Sequence, residues 1–391
     1  MNMAITARGW LVYDMTSSAT DLGWVTLSFT VPQVIFSLWG GVLADRLPKR
    51  RTIAAGQFLN ALASSILAVI ILTNRVEFWD FIWFGAFNGS VLALSMPARQ
   101  AFVPQLVGQD RVINAMALNM ASWNLARILG PALAGLLIAL LARGDTTSTF
   151  GVGVVYLMIS ALYLLASLTV LGIRMRGNAL SLSSSRGVLH DIGEGVRYVR
   201  SHRPISALIL LSIMPFLFGM PLNTLLPAFN ADVLSGGADD LGVLLAAMGL
   251  GAIIGSLMLA RAGELEARVP WLIGSAVAWG VGICLFSQAV NLFWACLGVA
   301  SVGWFSAWNM SLNRGLMQIL VEDHMRGRIM SIDMMSHGLM PLGIIPVTYI
   351  AEIVNVQAAL IFSGSVLSAV VVLMVFLPMV RSIREARSPL E

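Results

Sequence analysis

Lysine occurs once in the 391 residues, at Lys49, and charged residues of every kind make up only 11% of the chain. A nucleotide-binding P-loop needs a lysine at the end of a glycine-rich run to reach the phosphates. No such run leads to Lys49, so ATP binding of that kind is excluded. The two cysteines, Cys284 and Cys296, lie in apolar stretches without CxxC spacing, which argues against both a zinc site and a disulfide framework. His190, His202, His324 and His337 form no HExxH pattern. No nucleophile–base–acid grouping stands out either, so no enzyme activity, metal, nucleotide or other cofactor is expected.

What fills the chain instead is hydrocarbon. Apolar residues make up 58%, and the mean hydropathy is +0.83. Soluble domains are typically about 45–50% apolar and about 25% charged. A cytosolic enzyme, a secreted disulfide scaffold and a disordered protein are all excluded. A spanning helix needs roughly 20 apolar residues at about 1.5 Å each. The runs predict spans at 22–44, 52–73, 78–97, 114–141, 151–173, 204–228, 241–260, 270–289, 291–312, 330–354 and 357–380. The expected fold class is therefore an all-α polytopic membrane protein in contact with the lipid bilayer. A further segment, Met3 to Tyr13, is about half of the required length and carries Arg8. It has no basic n-region or small-residue cleavage site, so it does not read as a signal peptide. The chain as given is expected to begin inside helix 1, through a late start or a truncation.

The basic residues orient the spans. Twenty of the 24 fall in loops on one side, from the cluster Arg46, Lys49, Arg50 and Arg51 to Arg381, Arg384 and Arg387 at the end. The opposite loops hold Arg75 and Arg143, while Arg8 and Arg127 lie inside apolar segments. The positive-inside rule makes the first side, and the C-terminus, cytoplasmic. The pI near 9.5 is thus a topology signal, and no nucleic-acid partner is expected.

The longest charged stretch, 174–203, divides residues 1–173 from 204–391 as a linker. Its Leu189, Ile192, Val196 and Val199 share one helical face, predicting a helix along the membrane surface. Across it the halves match at one offset of 215 residues: Gly40 with Gly255, Arg46 with Arg261, Arg99 with Arg314, Arg111 with Arg326, and Pro131 with Pro346. Two six-helix halves in parallel duplication are a transporter architecture, with substrate near the midplane.

The loop after helix 2 reads Gly40-Gly41-Val42-Leu43-Ala44-Asp45-Arg46-Leu47-Pro48-Lys49-Arg50-Arg51. It resembles the cytoplasmic signature of the major facilitator superfamily. The stretch from Pro97-Ala98-Arg99-Gln100 through Asn114 and Asn119 to Gly130-Pro131-Ala132-Leu133-Ala134-Gly135 is similar to the enterobactin-exporter-like, drug:proton antiporter branch. So is the stretch from Asn313-Arg314 through Arg326-Gly327-Arg328 to Met340-Pro341-Leu342-Gly343. The resemblance implies the major facilitator fold, with Gly41, Asp45, Arg46, Lys49, Arg50 and Arg99 as a gating latch. It implies an antiporter-like motif at Gly130, Pro131 and Gly135. Two positions depart from the pattern: Pro48 stands where a glycine is usual, and Ala134 replaces the first of a closing glycine pair.

The residues carry alternatives of their own. Asp45 can pair with arginines or a helix N-terminus as a latch, or merely anchor its loop. Arg127, deep in helix 5 with Asn124 a turn away, either lines a cavity for an anionic group or ties helix 5 to nearby carbonyls. Asp333 and His337, at i and i+4, form either a proton relay or an interfacial pair. Asp14 and Glu352, near outer helix ends, are further coupling candidates. Trp304, Trp308 and Asn309 line an aromatic site or face the interface. Met330, Met334, Met335 and Met340 serve packing or an adaptable wall, and Gly251 with Gly255 serve close helix packing. Together these features predict a secondary transporter, monomeric and in a bacterial inner membrane, exporting an amphipathic small molecule such as a drug or siderophore against protons. Alternatives are a lysophospholipid or lipid flippase, an uptake symporter of the same fold and, less well supported, a membrane receptor or enzyme.

Overall fold

A computed structural model of the chain describes residues 2–107, 112–142, 149–175, 188–261, 268–322, 325, 329, 332–333 and 337–385. Among these residues the secondary structure is helical throughout. The first helices are α1 (Asn2–Thr16), α2 (Ala19–Arg46), α3 (Lys49–Leu72), α4 (Phe78–Val107), α5 (Val112–Ala142) and α6 (Thr149–Gly172). A short α7 (Val188–Ser201) precedes α8 (Arg203–Met214), a π-helical turn (Pro215–Gly219) and α9 (Pro221–Asp232). The chain continues through α10 (Ala238–Arg261), α11 (Arg268–Phe286) and α12 (Leu292–Leu320). A 3₁₀ turn (His337–Leu339) leads into α13 (Met340–Ile353), followed by α14 (Val356–Met374) and α15 (Pro378–Glu385). The chain folds as two compact units, Met1–Ser183 with Ser235–Ala246, and Ser184–Leu234 with Ala247–Glu391.

Seven helices among the described residues are long and apolar enough to cross a bilayer: α3, α4, α6, α8 with α9, α10, most of α11, and α14. Three further predicted spans, α2, α5 and α12, have 28, 31 and 29 residues. In α2, Thr26, Ser28 and Thr30 donate their hydroxyls to the carbonyls of Leu22, Val25 and Thr26 at 2.8–3.1 Å. Such back-bonding satisfies a hydroxyl within its own helix, so polar residues are tolerated where water is scarce. The predicted span 330–354 is described only in part. The predicted surface helix is α7, which ends at Ser201, because His202 is extended and opens α8.

Inside the first unit, helices pair through small residues and hydroxyls. Ser160 and Ser167 of α6 donate to the carbonyls of Ala61 and Ala54 on α3 at 2.8 and 2.9 Å. Asn88 of α4 donates to Asn60 of α3 at 3.0 Å, both buried. Without a hydrophobic drive between helices in lipid, such bonds and close contacts hold the bundle. The duplication is visible in the packing of each unit. Gly40 on α2 packs on Ala93 of α4, and Gly255 on α10 packs on Trp304 of α12, two helices further on in both cases. Likewise α3 packs on α6, and α11 on α14. The Arg99–Arg314 match also recurs: both are exposed, toward the ends of α4 and α12.

Gly343 shows how tight these approaches are, since a Cβ there would collide with the carbonyl oxygen of Leu217. Gly274, on α11, has nothing within 4 Å of a Cβ. Gly343→Ala should therefore lower stability by about 1–3 kcal/mol through overpacking, with Gly274→Ala neutral or stabilising by up to about 1 kcal/mol. Thermal unfolding of the two variants in one detergent checks the contrast.

Candidate functional site

The most irregular described backbone within a span lies in the second unit, where prolines interrupt one apolar run. Pro221 has no N–H to give Leu217, so a regular α-helix cannot continue there. The chain responds with a π-turn, in which Met220 donates to the carbonyl of Pro215 at 3.0 Å. The displaced carbonyls are met from other helices. Ser363 of α14 donates its hydroxyl to Phe218 O, and Gly343 of α13 lies against Leu217 O. Gly219 lies under the Trp279 ring, which a Cβ would approach to 2.7 Å. Interrupted backbone at membrane depth is tolerated only where protein or a cavity satisfies it.

A narrow cleft opens beside this turn, lined by Ser212, Pro215, Phe216, Asn309, Asn313, Met317 and Asp333, among others. It is about the size of a single water molecule. Asp333 is buried and accepts a hydrogen bond of 2.6 Å from the Ser212 hydroxyl. Asn313 donates to Leu208 O on α8 at 3.1 Å, and its own Oδ1 is buried with no donor. Asn309 donates to Leu272 O at 3.2 Å. The cleft thus pairs a buried carboxylate with an unsatisfied acceptor. Arg314 also lines the cleft, so a carboxylate, a cation and amide groups face one small space.

The other sequence candidates are dispersed. His337 begins the 3₁₀ turn, and its side chain, like that of Arg127 and Asn124 on α5, lies outside the described residues. Asp14 and Glu352 are exposed in the last turns of α1 and α13. Trp308 donates its indole N–H to Gly255 O at 2.6 Å and lies 6.2 Å from Trp304, ring centre to ring centre. Both tryptophans serve as a lid on the α10 glycine. In the loop cluster, Gly41, Asp45 and Arg46 occupy the end of α2, with the Asp45 and Arg46 side chains outside the described residues. Lys49 is fully buried. Arg50 donates to Ile173 O at 2.7 Å, just past the C-terminus of α6, where a cation also meets the helix dipole. In helix 5, Gly130 and Pro131 are buried. A Cβ on Gly135 would come within 2.6 Å of Ala238 O and 2.9 Å of the Gly242 Cα, in the same unit. The antiporter-like motif is therefore a close helix crossing.

Sequence reasoning missed Ser212 and the Pro215–Gly219 turn. Pro215 and Pro221, six residues apart in an apolar run, were the available signal for the turn. Nothing local marks Ser212, which lies 121 residues from Asp333.

Residues 2–390 match the model of the family described as transmembrane secretion effector. The staphyloferrin A transporter of Staphylococcus aureus is 25% identical over 372 residues, covering 94% of this chain and 89% of that protein. The multidrug efflux pump Tap of Mycolicibacterium fortuitum is 24% identical, covering 99% and 94%. Among solved structures, an inward-facing bacterial homologue of the human lysosomal transporter Spinster has a TM-score of 0.74 at 13% identity, covering 99% of this chain and 96% of that one. The nucleoside transporter NupG gives 0.73 at 14% identity, covering 96% and 95%. The fold is that of the major facilitator transporters.

Removing the hydroxyl that serves Asp333 should cost about 1–3 kcal/mol of stability, the penalty for leaving a buried polar group without its partner. Ser212→Ala and Ser212→Thr, compared by thermal unfolding at neutral pH, should show a loss for alanine and recovery for threonine.

Proposed function

We propose that this chain, which belongs to the transmembrane secretion effector family, exports an amphipathic small molecule by alternating access in exchange for protons. It is a multi-pass transporter of the major facilitator fold and not an enzyme. The single observation that carries the proton assignment is Asp333, a carboxylate buried beside a broken helix and held by Ser212 at 2.6 Å. Ionisable groups within membrane spans commonly mark ion or proton pathways, which supports Asp333 as the coupling site. The matched multidrug efflux pump supports export, and the staphyloferrin A transporter supports a small organic molecule as cargo.

The remaining parts follow from the same reading. The basic loops put the C-terminus in the cytoplasm of a bacterial cell, with the protein in the plasma membrane as a monomer. Asp45, with Gly41, Arg46, Lys49, Arg50 and Arg99, latches the cytoplasmic end of the transporter. Arg127 and Asn124 serve the cargo path, and His337 assists Asp333. The Gly130-Pro131…Gly135 crossing favours export because its small residues let helices move against each other without a gap.

In cells carrying the gene, accumulation of a drug panel should be lower than in cells without it, and a protonophore should abolish the difference. Asp333→Asn, inserted at normal levels, should lose that export by about tenfold or more, an effect of the size removal of one acid–base group commonly has. Asp45→Asn should weaken export without preventing insertion, and wild-type rates in that variant would remove the latch.

A further inference from the structure

Asn313 lies on α12, 3% exposed, and lines the cleft together with Asp333 and Ser212. Its Nδ2 donates to Leu208 O on α8 at 3.1 Å. A carbonyl oxygen can only accept, so this bond fixes which end of the amide is nitrogen. The other end, Oδ1, is buried and has no hydrogen-bond donor among the described residues. In lipid such an acceptor is costly, because no bulk solvent can take the missing donor's place.

The same bond places the amide along α8. In an α-helix the carbonyl of residue 208 points toward the backbone N–H of residue 212. Asn313 therefore meets α8 at the turn that carries Ser212, and Ser212 in turn donates its hydroxyl to Asp333 Oδ1 at 2.6 Å. One turn of α8 thus brings the unserved oxygen and the carboxylate to one level. Both border a space of about one water molecule, with Pro215, Phe216 and Met317 as apolar wall. Of the charged groups on α8, α12 and α13, only Arg314 borders that space as well. It is exposed and does not reach Oδ1, while Arg203 and Glu352 are exposed at helix ends.

We infer that the cleft binds one water between Asn313 Oδ1 and the Asp333 carboxylate, and that Asp333 exchanges its proton through this water. Buried waters are held where the site is polar, roomy enough and offers two or more partners, which is the case here. The water donates one hydrogen to Oδ1 and the other to Asp333. When a proton reaches the water, its O–H bond toward Asp333 breaks as a new O–H forms on the carboxylate. Neutral water and a carboxylic acid remain, and release runs the same way backwards with no change of oxidation state. The acid then donates to the water oxygen, so Oδ1 keeps its donor in both states. Asn313 is a positioning residue, acting by holding the water. The relay rests on the reading of Asp333 as the coupling acid; the water site does not.

Infrared difference spectra between high and low pH test both parts without any cargo. The full chain is placed in nanodiscs of phosphatidylcholine. The unmutated protein should show a water O–H band that shifts in heavy-oxygen water, and a carboxyl band that Asp333→Asn removes. Asn313→Leu, shown to be folded by its melting curve, should lose the water band. At low pH its Asp333 carboxyl should take up deuterium from deuterium oxide about tenfold or more slowly, as expected when an acid–base path loses one member. A spectrum of the unmutated protein without the isotope-sensitive water band overturns the site without reference to any variant. A band that survives in folded Asn313→Leu, or deuterium uptake that is unchanged there, overturns the role of Asn313. A water band with no Asp333 carboxyl band keeps the water site and defeats the coupling reading instead.

Discussion

A bilayer offers no hydrogen bonds, so every backbone or side-chain group that leaves a regular helix must be met by another part of the protein. The second unit is arranged around one such debt. Pro221 deprives Leu217 of its bond, the π-turn moves the neighbouring pairings, and Ser363 and Gly343 come in from α14 and α13 to cover the exposed carbonyls. The cleft that holds Asp333 lies beside the same turn, lined by Pro215 and Phe216. A regular helix there would need neither the serine nor the glycine. The irregularity is thus maintained by specific side chains, at a depth where irregularity is costly.

The same constraint governs charge. A guanidinium or carboxylate in the middle of a span costs at least about 2.5 kcal/mol on insertion scales. Asp333 has a hydroxyl partner, and its cleft has an unserved amide oxygen. The Tyr156 hydroxyl is buried with no hydrogen-bond partner among the described residues.

Much of the fold was legible in the sequence because lipid simplifies the code. Apolar runs gave the spans, and α3, α4, α6 and α14 follow them closely. The offset of 215 residues anticipated the repeated packing of α2 on α4 and α10 on α12, since Gly40 and Gly255 each mark a close crossing. The family motif at Gly135 was readable as a pattern, while its partner Gly242 was not, because no spacing along a chain specifies which helix a small residue will meet. Ser212 was invisible for the same reason. Trp308 donates its indole N–H to the α10 backbone and Trp304 lies against Gly255, partners that no spacing along the chain names.

The most direct measurement of proton-coupled export uses inside-out membrane vesicles containing the chain, loaded with acid inside and offered a labelled macrolide or siderophore outside. Exchange predicts accumulation of the cargo within the vesicles that rises with the pH gradient, collapses when the gradient is dissipated, and is absent from Asp333→Asn vesicles. Accumulation that ignores the gradient, or that appears only when the gradient is reversed, would contradict it.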